Sequence, residues 1–523
     1  MTSSLQFHFR QSLRWSSLLA VAGFVVFLSA CQQPAVMIPV AAGSPATPRA
    51  SSTTLALAPT AIPVPLKILT TTPETGYVGT KVTVTGQGLA AGKRAQIVWG
   101  TVDGSYVLKP SSESVEYEDR QFVEKRIPTA ESVIDATGHL SATFNVPEDY
   151  GETHDIYAVV DGQDVAKGGF TVQRNAFITP QEGPIGAPIT ISVEGLGWSP
   201  YANTLAVLYD NQYVGFISAV TTRGTATARF RAAGPVGMHT IRVTDASGAV
   251  PYLNSQQSPR NLPQFKFTFN VTTDAGAPPQ TLDWPDATLV ASTNSSPKTT
   301  SGTVAPTPGV SAHLSPSAGP IRTAAKLRSA DLPPNTTLDL IWMSVKGNRV
   351  SPSGWNLITI PLGQKTTGPD GTLTTDIQIP DDLGGWHMVD LVQGQKVLAE
   401  VPFYVERSIV AVTPAQVKAG QEFTVEIKGV GWTELDNAVA VTYDNAYIGY
   451  ACGFNSQGDV TIHLIASGQP GTHLIDLYPT IYLGHGKGPW NYDLPQLSFA
   501  QDQPGLALGY RLPAFRLAIQ IVP

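Results

Sequence analysis

Two cysteines in 523 residues leave no means of building a disulfide framework or a cysteine-rich zinc site. Charge is scarce too, at 14% of residues and a net −7. No basic cluster is able to neutralise a row of phosphates, which argues against nucleic-acid binding. Long apolar runs are missing: Leu18 to Leu28 falls short of the roughly 20 residues a spanning helix needs. Absent as well are His-Glu-x-x-His, Gly-x-Ser-x-Gly, a phosphate-cradling glycine loop before a helix, and a dinucleotide fingerprint. No catalytic residue, metal or cofactor is therefore expected. The paired acids Glu148-Asp149 and Asp381-Asp382, each following a proline, read as turn residues pointing into solvent.

What is abundant points the other way from a helical protein. The chain holds 48 Gly and 42 Pro, both helix breakers, alongside many Thr, Val and Tyr. That composition predicts an all-β fold with many turns, and the length suggests several domains.

The first residues carry an address. Arg10 and Arg14 precede the apolar stretch, Ser29 and Ala30 follow it, and no acidic residue comes before Cys31, which is the order of a secretory signal. Leu28-Ser29-Ala30-Cys31 resembles the lipobox of bacterial lipoproteins. The resemblance implies cleavage after residue 30, lipidation of Cys31, and attachment to a membrane through that lipid, facing the periplasm or the cell exterior. Gln32 is not the Asp that would signal retention in an inner membrane.

Residues 31–65 are rich in Pro, Ala, Ser and Thr, and 273–310 repeat that composition. Both are predicted to be disordered, as a tether and a central linker, because neither has apolar surface to offset the entropy of ordering. Between and after them the sequence repeats. Residues 179–241 align without a gap to 413–475, an offset of 234, with about a third of positions identical. Gly195-Leu196-Gly197-Trp198 faces Gly429-Val430-Gly431-Trp432, and Tyr209-Asp210-Asn211 faces Tyr443-Asp444-Asn445. The stretches before these also match: Gly138, Pro147, Asp149, Gly151 and His154 face Gly371, Pro380, Asp382, Gly384 and His387. The duplicated unit is thus a pair of modules, giving domains at 66–173, 174–272, 311–406 and 407–523. Four in a row would reach well clear of a membrane.

Within a module the period is two. Lys81 to Thr85, Ile189 to Val193 and Phe423 to Ile427 alternate apolar with polar, the mark of half-buried strands. With about seven short strands per module, the pattern predicts an immunoglobulin-like sandwich. Thr72-Pro73 through Gly86-Gln87-Gly88-Leu89 resembles the opening of IPT/TIG-type immunoglobulin-like domains, as do Thr179-Pro180 through Trp198 and Thr413-Pro414 through Trp432. The third module has Ser315-Pro316 but no Gly-x-Gly after it. The resemblance implies a binding or spacer module and no chemistry.

Candidate binding residues fall in two places. The stretch between Tyr482 and Asp493 mixes aromatics with glycines, and Tyr482, His485, Trp490 and Tyr492 are suited to stacking on sugar rings or protein surface, or to folding back over the sheet. The hairpins presenting Asp210, Asn211, Asp444 and Asn445 are also candidates, although Asp-Asn at a tight turn is expected from geometry alone. Tyr209 and Tyr213 are read as sharing one face of the pleat. His154, His239, His387 and His473 stand at equivalent places in separate modules, which suits a ring bonding backbone at a corner. Trp198 and Trp432 read as packing anchors. The function expected is a non-catalytic, lipid-anchored binding or structural protein with an unknown protein or polysaccharide partner; alternatives are a carbohydrate-binding surface lipoprotein and an enzyme with an unrecognised site.

Overall fold

Alternation in the sequence becomes alternation in burial. In the computed structural model, which describes residues 65–111, 113–257, 264–290, 309–347, 354–483 and 493–523, the strand Leu140–Asn145 strictly alternates buried and exposed. Lys81–Gly86, Pro188–Glu194 and Glu422–Lys428 bury every second residue. The described residues contain no α-helix, only strands and short 3-10 turns. The protein is all-β, built of immunoglobulin-like sandwiches. Cys31 and the predicted tether up to residue 64 lie outside the described residues.

Among the described residues four large hydrophobic cores form, each between a three-stranded layer and a larger one. The first holds Trp99, Phe144 and Phe170. Its layers are continuous, because Lys67–Thr72 pairs antiparallel with Lys81–Gly86 and parallel with Gln163–Val172. Around the second core the layer Asn175–Thr179, Pro188–Glu194 and Ala226–Arg231 faces Thr204–Tyr209, Gln212–Ser218, Gly237–Ser247 and Phe265–Val271. The third and fourth repeat the plan around Trp342 and around Phe423 and Phe515. A cis peptide precedes the entry proline at all four places: Pro73, Pro180, Pro316 and Pro414.

The predicted linker is ordered over its described part. Thr281–Asp283 pairs antiparallel with Ala514–Val522. Asp274 accepts from the Thr472 backbone N–H at 2.9 Å and its hydroxyl at 2.6 Å. Edge pairing and side-chain acceptors supply the ordering energy that apolar content does not, which composition alone could not reveal.

Nor do the sandwiches stand in a row. The long hairpin Arg94–Pro110 and Val115–Val133 carries Val115 and Tyr117 into a cluster with Trp386, Leu435 and Tyr510. There Glu434 receives the Tyr117 N–H at 2.7 Å. Residues 494–500 plug the open side of the second sandwich. Leu497 and Phe499 are fully buried in the second core, Phe216 N–H donates to Pro495 O at 2.9 Å, and Arg229 N–H donates to Leu497 O at 3.0 Å. Below this plug Arg231 and Arg516, both buried, converge on the buried carboxylate of Asp476.

Candidate functional site

The repeated motif residues serve joints and corners. At both junctions within a pair, two glycines meet. Gly151 N–H donates to Leu196 O, and Gly384 N–H to Val430 O. A Cβ on either Gly151 or Gly384 would run into the carbonyl of Gly195 or Gly429, so the joint, repeated in both pairs, requires glycine there.

The four histidines behave as corner residues. His154 lies between the carbonyls of Gly100 and Tyr150 at 2.9 and 2.8 Å, and His387 between those of Met343 and Leu383 at 2.9 Å. Each ring stacks on a buried indole, Trp99 or Trp342, at 4.4 or 4.6 Å. In the second and fourth sandwiches the turn aspartates replace one carbonyl: His239 meets Asp210 at 2.5 Å and His473 meets Asp444 at 2.6 Å. Burial works against a charged His473 ring, but the bonds to Asp444 and the Gln469 carbonyl, with the charges of Asp444 and Asp274, together outweigh it and raise the pKa. Among the described residues no group of three His, Cys, Asp or Glu is placed to hold a metal ion.

One acid of each predicted surface pair turns inward instead. Asp149 and Asp382 are buried and accept the indole N–H of Trp99 and Trp342, both at 2.8 Å. Their partners Glu148 and Asp381 stay exposed. A buried tryptophan needs an acceptor for its N–H. The repeated alignment of Asp149 with Asp382 was the signal that could have found this.

The Asp-Asn hairpins split in role. Asp210, Asn211, Asp444 and Asn445 all have positive φ, from 46° to 66°, as a two-residue hairpin turn demands. Because that turn reverses the chain, Tyr213 pairs with Leu208, and the expected shared face for Tyr209 and Tyr213 does not hold. Tyr209 lies in the core, whereas Tyr213 meets Tyr447 edge-on at 6.3 Å between the two large layers. Asn445 is buried and donates to Arg231 O at 2.7 Å, so it faces protein. Its counterpart Asn211 is exposed.

Of the predicted loop residues, His485, Trp490 and Tyr492 lie outside the described residues. Tyr482 is half-buried and stacks on Tyr450 at 5.3 Å and on Phe454 at 6.3 Å. Phe454 in turn meets Trp355 of the third sandwich edge-on at 6.1 Å. Tyr450 is 44% exposed and Ile448 49% exposed. Burial, then the neighbouring Tyr482, pushes the Tyr450 hydroxyl up to about 12, so the Tyr450 ring is uncharged at neutral pH. Sequence reasoning missed Tyr450, Phe454 and Trp355, which come together only across two sandwiches. A separate cleft of about 910 Å³ is lined by Trp284, Trp386, Glu406 and Arg511. Its two charges pair at 2.8 Å, and the indole of Trp386 donates to Leu508 O at 3.1 Å.

No family model matches the chain, and no curated protein matches it. Among solved structures, an ICAM-5 D1–D4 ectodomain fragment aligns over 87% of this chain and all of its own, at 12% identity and a TM-score of 0.17. A putative membrane anchored protein from Corynebacterium diphtheriae aligns over 65% of this chain and 91% of its own, at 11% identity and 0.17. The plexin A4 extracellular region covers 81% of this chain with 34% of its own, at 10% identity and 0.13. Values this low carry no role across. The sandwich architecture stands on the strands and cores themselves. Among the described residues no helix is long and apolar enough to cross a membrane.

Proposed function

We propose that the chain is a non-catalytic binding or structural protein of a bacterial cell envelope, held to a membrane by a lipid on Cys31 and facing the periplasm or the exterior. Its ligand-facing surface is the aromatic shelf of Tyr450, Tyr482, Phe454 and Trp355. The observation that supports this reading is the exposure of Tyr450 and Ile448 on the edge strand Ala446–Cys452. Large apolar side chains gathered at a surface serve recognition, and aromatic rings stack on sugar faces and protein side chains alike. The partner is a protein or a polysaccharide of the envelope. A carbohydrate partner is the second reading, favoured by the near-parallel stacking of Tyr450, Tyr482 and Phe454, with interplanar angles of 29° and 19°.

The test compares the full chain with its Tyr450→Ala/Tyr482→Ala variant for binding to purified envelope polysaccharide and to envelope protein complexes. Loss of two aromatic anchors weakens binding by about tenfold or more. Binding unchanged in the double variant overturns this placement of the site. The anchor is tested apart from it, by membrane partition of a Cys31→Ala chain, which is expected in the soluble fraction.

A further inference from the structure

The duplication left two sheet faces in the same register with opposite fates. In the fourth sandwich, strand Gly471–Thr480 pairs with Ala514–Val522 so that Asp476 stands opposite Arg516. In the second, Gly237–Ser247 pairs with Phe265–Val271 in the same register, Gly237 against Val271 where the other has Gly471 against Ile521, and there Arg242 stands opposite Lys266. An acid–base pair in one copy is thus a base–base pair in the other. Like charges directly opposite in a ladder are destabilising. Among the described residues no carboxylate forms an ion pair with either cation, and the Arg242 Nε is buried without a hydrogen-bond partner.

The fourth sandwich shows what such a face receives. Its outward residues Leu474, Asp476, Tyr478 and Ala518 are all buried, and the edge strand Ala226–Arg231 of the second sandwich lies against them. Arg231 reaches Asp476 and donates to Leu517 O, while Arg516 donates to Arg229 O at 3.3 Å. The matching face of the second sandwich is buried at Thr244, in the place of Tyr478, but open toward its other end. Thr240, Lys266 and Thr268 are exposed, Met238 is 66% exposed, and a groove of about 500 Å³ runs along Arg242 and Lys266.

The matching edge strand is open as well. Val460–Ile465 is the counterpart of Ala226–Arg231 at the offset of 234, and it lies at the end of its layer, paired on one side only. Ile465, in the place of Arg231, is 65% exposed. Directly across from it stands Glu422, whose side chain is 62% exposed and meets the exposed ring of His463 on the same edge strand at 2.5 Å. The chain therefore carries one used face–edge contact, with an acid on the face and a base on the edge. It also carries one set unused between its own sandwiches, with bases on the face and, beside the edge, an acid whose partner is the exposed His463 ring.

We propose that a second copy of this chain fills the unused set, seating its edge strand Val460–Ile465 on the outer face of Gly237–Ser247 and Phe265–Val271, with Glu422 against Arg242 and Lys266 and Ile465 against the apolar surface near Met238. The contact is heterologous, joining different surfaces of the two copies, so it closes a dimer only if both copies exchange it and otherwise propagates.

The experiment is sedimentation velocity of the full chain in detergent over a concentration series, at low and high salt. The expected result is concentration-dependent self-association that weakens with salt, since rim charges are screened. Arg242→Glu/Lys266→Glu is expected to weaken association by about tenfold or more, as like charges now meet across the contact. Glu422→Lys alone also weakens it, and the combined charge-swapped chain regains association, which a misfolded variant does not. A photo-crosslinker at position 465 is expected to join peptides 237–247 or 265–271 of the other copy. A chain that stays monomeric throughout overturns the proposal. So does an association indifferent to all three variants.

Discussion

Asp502 offers the sharpest test of how the chain holds together. Its carboxylate is fully buried and collects five donors from segments about 280 and 400 residues away in sequence. These are Ser218 Oγ at 2.7 Å, the Val220 and Thr221 backbone N–H groups at 2.9 Å, Thr221 Oγ1 at 2.8 Å and the Tyr106 hydroxyl at 3.0 Å. In Asp502→Ala the three hydroxyls can rotate toward other acceptors, but the two backbone donors cannot. Each stranded buried donor costs about 1–3 kcal/mol, so the variant loses roughly 2–6 kcal/mol. Asp502→Asn keeps the shape and one carbonyl oxygen while turning an NH₂ toward existing donors, and falls between the two. Chemical denaturation measures the loss, and hydrogen exchange at Val220 and Thr221 locates it, because those amides are the ones released. If Asp502→Ala unfolds within about 0.5 kcal/mol of the parent, the size of an ordinary surface substitution, this account of the tie is wrong.

Two further outcomes follow from the same geometry. Asn211 and Asn445 occupy identical hairpin positions at φ of 65° and 66°, so alanine strains both turns alike. Only Asn445→Ala also strands the buried Arg231 carbonyl, and it is expected to cost about 1 kcal/mol more than Asn211→Ala in thermal unfolding; equal losses refute the docking role of Asn445. Burial, and then the charge of Glu400 across the ladder, raises the Asp390 carboxyl to about 7. The folded chain then holds a proton that the unfolded chain has released between pH about 4 and 7, so this group's contribution to stability falls as pH rises through that window and levels off above it. Asp390→Asn is expected to flatten the melting-temperature profile between pH 5 and 8, and an unchanged slope contradicts the assignment.

Much of the strand pattern was readable from residues alone. Val82, Val84, Ile189, Ile191, Val193, Phe423, Val425 and Ile427 are buried, as period two requires, because a strand's faces are set by local geometry. The histidine corners were legible for a similar reason: repetition at one place in every module points to a job inside each module. Asp149 and Asp382 escaped, since whether a turn acid faces water or a buried indole depends on a tryptophan about 40 to 50 residues away. The candidate site was half visible. Tyr482 belongs to the predicted loop, but Tyr450, Phe454 and Trp355 carry no shared motif, and only packing brings them beside it.

By itself, then, the sequence determined the class, the strand faces, the turn positions and the duplication, all of which follow from the conformational preferences of neighbouring residues. It did not determine how the sandwiches meet. That was decided by long-range complementarity: Asp476 answering Arg231, residues 494–500 filling the side of the second core, Thr281–Asp283 adding to a sheet edge, and Asp502 gathering donors from distant segments. Such contacts leave no periodic trace, because their energy comes from burying matched groups that chain geometry alone places together.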